Sequence, residues 1–210
     1  MKLLLARRSK PFIMKNISHL KKIRFHLLVI LVLFLNISCL SSRALFQETT
    51  KDWFIKGDAN WNFSNNELIG KIKNGAGFVM TQDKYKNFIL ELEFKPDSTI
   101  NSGIFIRCTN NEINPTDCYE VNIWDLHPNQ DYRTGAIVTK SIPLALVQTI
   151  DKWNTYKIKN EKDHILVWVN GILTADIRDK VLTEGYIGLQ ASGTGEIRFR
   201  NVKIKTLKMD

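Results

Sequence analysis

No familiar nucleotide, nucleophile or metal signature is found in this chain. Its 210 residues hold no Walker loop, no GxGxxG, no GxSxG elbow, no HExxH and no EF-hand loop. Nucleotide, serine-nucleophile and zinc-protease readings therefore have no support. There are three cysteines and four histidines, with no CxxC and no clustered His beside a Cys, so a zinc site has no ligand set. The longest apolar-dominated run, Phe25–Leu35, has about eleven residues where a membrane span needs ~20. No repeat of solenoid or propeller period is present, and no long amphipathic helix.

Acidic residues are missing from the first 38 positions, which carry eight Lys and Arg. The remainder holds 22 bases against 21 acids, so the overall charge of +9 belongs to the leader. A nucleic-acid partner, which needs a basic face on the folded domain, is not expected. Residues 1–38 read as a signal segment: a basic stretch to Arg24, an apolar stretch to Leu35, then Leu35-Asn36-Ile37-Ser38-Cys39. That box resembles a bacterial lipoprotein cleavage site with Cys39 acylated, although Asn36 stands where an apolar residue is usual. Simple secretion with Cys39 incidental is the alternative, and Met14 offers a second start. The expectation is an exported protein, lipid-anchored to a membrane, or free in the periplasm or at the cell surface.

Export makes a Cys108–Cys118 disulfide the default for the other two cysteines. Residues 39–52 read as a polar tether and 53–207 as one domain. Trp53–Phe63 reads as a first strand or strap, and Asn65-Asn66 as a turn. Asn74-Gly75 is a hairpin signal leading into Gly77–Thr81. Asn87–Lys95 alternates, with Phe88, Leu90, Leu92 and Phe94 on one face. Ser141–Ile150 is ambiguous, since Pro143 opposes a central strand. His164–Val169, Asn170-Gly171 and Ile172–Ile177 form a hairpin with a type I′ turn. Gly185–Gln190 and Glu196–Leu207 close the domain. About a dozen short strands predict an all-β fold, a two-sheet antiparallel sandwich.

The stretch Asn101–Val138 carries the candidate chemistry. Alternation puts Glu120, Asn122 and Trp124 on one face of a strand and Val121 and Ile123 on the other. Two registers are open for the strand pair. In one, Cys108 lies opposite Cys118. In the other, which is preferred, Arg107 lies opposite Glu120 and Gly103 opposite Trp124, with Ile104 and Ile106 in the core. Asp125 falls on the Val121 face unless a bulge intervenes. His127 could act as acid or base, or be a surface residue. Gly135 suggests close backbone approach. Trp153, Trp168 and Tyr186 suit either core packing or sugar stacking. Gln190 and Ser192 adjoin a Gly-rich turn that could face a ligand.

The ordered series NSGIFIR, YEVNIWD, RTGAIV, WNTYKI, VWVNG, EGYIGLQ and IRFRNVKIK resembles the 3-keto-disaccharide hydrolase domain family, from about Trp53 to Lys205. That resemblance implies a concanavalin A-like, laminin-G-like jelly roll with a carbohydrate site on a concave face. It implies action on glycosides oxidised to a ketone at C3. Arg107, Glu120, Asn122, Asp125 and Gln190 match the family's polar positions, with Asn122 where glutamine is more usual. Ala191-Ser192-Gly193 stands where members often carry a His. The chemistry implied is removal of the acidified C2 proton, loss of the C1 oxygen and addition of water. Glu120 is then the base, Arg107 the electrostatic stabiliser, His127 or Asp125 the acid, and Trp124 a platform. A divalent cation could take Arg107's part, although no dedicated ligand cluster accompanies it. Two rivals are a non-catalytic surface carbohydrate-binding module and a laminarinase-like glycosidase with Glu120 and Asp125 as its carboxyl pair.

Overall fold

The computed structural model describes residues 42–48, 52–111 and 116–208. The predicted leader and Cys39 lie outside the described residues. Two antiparallel sheets stack face to face. The eight-stranded sheet runs β11 (Ile172–Arg178), β10 (His164–Val169), β9 (Asn154–Glu161), β6 (Phe88–Pro96), β13 (Gly195–Thr206), β4 (Glu67–Ile72) and β3 (Asn60–Ser64), with β1 (Arg43–Ala44) also on β13. The five-stranded sheet runs β2 (Trp53–Gly57), β5 (Ala76–Thr81), β12 (Tyr186–Gly193), β7 (Ile100–Cys108) and β8 (Tyr119–Ile123). The fold is the predicted all-β jelly roll.

Alternating side chains seal the interior. Phe88, Leu90, Leu92 and Phe94 of β6 meet Ile104, Ile106, Val121, Ile123 and Leu189 from the other sheet, all buried. Asn170 and Gly171 both take positive φ, 51° and 78°, and close the β10–β11 hairpin as predicted.

Two local expectations are corrected. Asn74-Gly75 does not turn a hairpin, because β4 and β5 belong to different sheets and residues 73–75 form a crossover. The β3–β4 hairpin turns on Asn65 and Asn66, as the sequence reading expected, at φ 53° and 62°. Within the predicted tether, Arg43–Ala44 pairs with β13, Leu45 and Phe46 are buried, and Trp53 donates to the Gln47 carbonyl at 2.8 Å. Two large apolar side chains outweigh the polar look of that segment.

One buried tyrosine ties the sheets together beside β8. Tyr156 of β9 donates to the Asn122 carbonyl at 2.6 Å and accepts from the Gly135 amide at 2.9 Å. Burial pushes its phenol pKa up. Tyr156→Phe leaves that carbonyl and amide without this partner. Urea unfolding should show a loss of about 2 kcal/mol.

Candidate functional site

A bulge in β7 decides which side chains share a face. Up to Ile106 the register sets Gly103 against Asn122, Phe105 against Glu120 and Ile106 against Tyr119. Beyond it, Thr109 donates to the Asp117 carbonyl and the Cys108–Cys118 disulfide closes with a Cα–Cα distance of 4.2 Å. The extra residue is Arg107, at φ 55°, where the pairing with β12 also shifts. The Cys108–Cys118 pairing of the first predicted register holds at the end of the ribbon, whereas the preferred register keeps only its parity, since its pairs are displaced by two residues. Ile104 and Ile106 face the core, and Cys108 is turned to the outer side, where it packs with Met80 and Phe105.

The bulge removes Arg107 from the predicted site. Phe105, not Arg107, lies opposite Glu120. The Arg107 side chain is fully buried and donates to the carbonyls of Leu182, at 2.7 Å, and Lys162. Burial lowers its pKa. It stitches the β11–β12 loop to the β9–β10 turn.

The outer face of the five-stranded sheet carries two rows across its strands. One runs Phe54, Met80, Gly188, Phe105, Glu120. The next runs Lys56, Phe78, Gln190, then Gly103 and Asn122 in the same registers. Gly103 leaves room for the carboxylate: a Cβ there would stand 3.1 Å from Glu120 Oε1. The sequence reading gave that room to Trp124.

Glu120 is half-buried and accepts no hydrogen bond from any described residue. Burial without a partner pushes its pKa up to about 7. On the same face, Gln190 is 8% exposed, and its Oε1 is buried with no hydrogen-bond partner. Asn101 Oδ1, one step along β7, is also buried and unpartnered. Asn101 was missed in the sequence. Its signal was parity, since it shares a face with Gly103 and Phe105.

The other predicted residues serve the loops. Asp125 keeps strict alternation and turns inward, accepting from the Thr149 amide at 2.6 Å and hydroxyl at 2.9 Å. It is 7% exposed and is not a second carboxylate on the Glu120 face, which removes the laminarinase-like pair. Asn122 is corrected from ligand contact to loop anchor: its amide donates to the Tyr132 carbonyl and its Oδ1 accepts from the Ile123 amide. Residues 136–138 line the edge of β8 through Asn122 N to Ala136 O at 3.0 Å and Val138 N to Glu120 O at 2.9 Å.

Trp124 and His127 meet edge to face at 4.5 Å, with Tyr132 at 5.6 Å from the His127 ring. The His127 Nδ1 is engaged by the backbone of Asn129. Trp168 lies in β10 of the other sheet, under Lys157 at 5.7 Å, and Trp153 stands just before β9, under Arg200 at 3.9 Å. A groove of about 640 Å³ beside Trp168 has self-paired walls, Lys157 with Glu91 among them.

Glu120 is the one carboxylate in its rows, and no group of three His, Cys, Asp or Glu comes together among the described residues.

Residues 41–205 match the model of the 3-keto-alpha-glucoside-1,2-lyase-like domain. The chain belongs to that family. The lyase-like match agrees with the resemblance in its sequence motifs. No curated protein matches it. Among solved structures it is similar to a candidate glycosyl hydrolase from Parabacteroides distasonis, at 26% identity and TM-score 0.68, covering 80% of this chain and all of that one. A second candidate glycosyl hydrolase from that organism shares 18% identity, TM-score 0.63, with 75% and 89% covered. A Bacillus subtilis carbohydrate-binding module of family 66 shares 19% identity, TM-score 0.59, with 77% and 99% covered. The family ties this lyase-like domain to carbohydrate, and the structures that share its fold include candidate glycosyl hydrolases and a carbohydrate-binding module.

Proposed function

We propose that the chain cleaves 3-keto-glycosides, with Glu120 as the base that removes the C2 proton. The carrying observation is a half-buried carboxylate, without a described hydrogen-bond partner, whose pKa is raised to about 7. A base poised near the working pH combines basicity with a useful ionised fraction. The C3 ketone acidifies the C2–H bond. Its electrons pass into the enolate and the proton to Glu120. The enolate then expels the C1 oxygen, leaving a C1–C2 double bond conjugated with the ketone. Addition of water across that bond completes net hydrolysis. With Asp125 held by Thr149, His127 is the remaining acid for the departing oxygen, beside the Trp124 platform. Arg107 takes no part. Export and a lipid anchor on Cys39 belong to this proposal and rest on the leader sequence.

The test is incubation with a 3-keto-glucoside and identification of products by mass spectrometry. Release of the aglycone with an enone or 3-keto-glucose supports the reading, and unchanged substrate opposes it. Gly103→Ala sharpens the test. A methyl 3.1 Å from Oε1 must push the carboxylate by a few tenths of an ångström. About tenfold lower kcat with an unchanged circular dichroism spectrum is expected.

A binding module without catalysis is the second reading. It is favoured by the use of Arg107 and Asp125 in the scaffold. Calorimetric binding with no product release would select it.

A further inference from the structure

One end of the sandwich gathers lysines without ion-pair partners, and β1 lies there. Arg43 donates to the Tyr85 hydroxyl at 2.6 Å and pairs with Asp83 at 3.1 Å and Asp52 at 3.4 Å. Three loops meet beside it. Tyr85 bridges Gly185, the Lys162 amide donates to Asn87 Oδ1 at 2.8 Å, and the Leu207 amide donates to the Asn87 carbonyl at 2.9 Å. Arg107 holds the Leu182 and Lys162 carbonyls from beneath. Residues 83–87, 161–163, 179–185 and 205–208 therefore form one surface.

The charge of that surface is one-sided once its ion pairs are set aside. Asp83 is taken up by Arg43, Asp163 by Arg178, Asp179 by Lys140 and Glu161 by Lys159. Lys84, Lys86, Lys162, Lys180, Lys205 and Lys208 are exposed and make no ion pair among the described residues. Glu184 is the one acid of these segments left against them. Beside Lys180 stands Val181, 75% exposed on the β11–β12 loop. Exposed lysines around an apolar tip suit the boundary of an anionic bilayer, where ammonium groups meet headgroups and the apolar side chain meets the acyl edge.

We propose that this end of the domain docks on an anionic lipid surface. The inference rests on the lipid anchor proposed for Cys39. Four residues separate Cys39 from Arg43, which keeps an acylated Cys39 within about 14 Å of β1. A tether alone leaves orientation free, and the lysines set it. Tyr119 binds Asp179 and the Leu182 amide at the docked end, and β8 runs from there to Ile123. The Trp124–Tyr132 loop then faces away from the membrane, open to substrate.

Hydrogen–deuterium exchange of the full-length chain tests this, on vesicles of equal parts phosphatidylglycerol and phosphatidylcholine and on phosphatidylcholine alone. On the mixed vesicles, amides of 83–87, 161–163 and 179–184 should exchange about tenfold more slowly, while those of 124–132 keep their rates. Lys86→Gln, Lys162→Gln and Lys180→Gln together should return the rates to those without vesicles, since each lysine is worth about fivefold at an anionic surface. Three exposed changes of this kind leave the fold intact. Equal protection on phosphatidylcholine, protection that survives the triple variant, or vesicle binding with none of these amides protected overturns the docking face. Mass spectrometry of the membrane-extracted chain reads acylation of Cys39 separately. Protection without acylation supports the face and removes the anchor, whereas acylation without protection keeps the anchor and overturns the face.

Discussion

Glu120→Gln is expected to lower kcat on a 3-keto-glucoside by about 10³-fold while making the folded protein more stable at pH 8. The first effect follows from removing a general base. The second follows from linkage. The folded pKa of about 7 lies above the ordinary 4.5, so the folded state holds this proton more tightly than the unfolded chain. The favourable contribution is present in full below about pH 4.5 and is lost as pH rises to about 7. Above that, the buried carboxylate costs on the order of 3 kcal/mol relative to an unshifted group. A glutamine removes that cost. Denaturation at pH 8 should show a gain of about 2–3 kcal/mol, with little change at pH 4. The wild-type kcat/KM should rise about tenfold per unit below pH 7 and level off above it. Lost activity with gained stability marks a site held at the expense of the fold. A variant that lost stability at pH 8 would point to an unseen partner for the carboxylate.

Arg107→Met should behave in the opposite way. The guanidinium is fully buried and satisfies the Leu182 and Lys162 carbonyls from one side chain. Methionine fills much of the space and donates nothing. A loss of about 3 kcal/mol or more is expected, with a fall in melting temperature of roughly 10 °C for a domain of this size. Below the transition, kcat per folded molecule should stay within about threefold of wild type. A residue stabilising the enolate would instead lose about 10²–10³-fold in kcat with the fold intact. The two measurements separate the role read from the sequence from the role seen in the structure.

That contrast shows what the sequence could and could not disclose. Periodicity placed Phe88 to Phe94 and Val121 and Ile123 in the core, because burial of one strand face is a local pattern. Asn170-Gly171 turned where its two positive-φ positions required. The Arg107 bulge had no such signature. It depends on partners 55 and 75 residues away, the Lys162 and Leu182 carbonyls. It also needs the missing side chain of Gly185, where a Cβ would fall 2.3 Å from the Cys108 carbonyl oxygen. Asp125 is similar: its parity was read correctly, but Thr149, which it holds, lay in a segment without periodicity. Glu120 was legible as a face-setting residue from YEVNIWD. Its raised pKa was not, since desolvation is a property of packing.

The central claim is that Glu120 takes the proton from C2 of a 3-keto sugar. Proton NMR of a 3-keto-glucoside in D₂O reads that step directly. The account predicts loss of the C2 proton signal with wild-type enzyme, by exchange or elimination, and retention of that signal with Glu120→Gln. An undiminished C2 signal with wild-type protein, or equal loss with the variant, would contradict it.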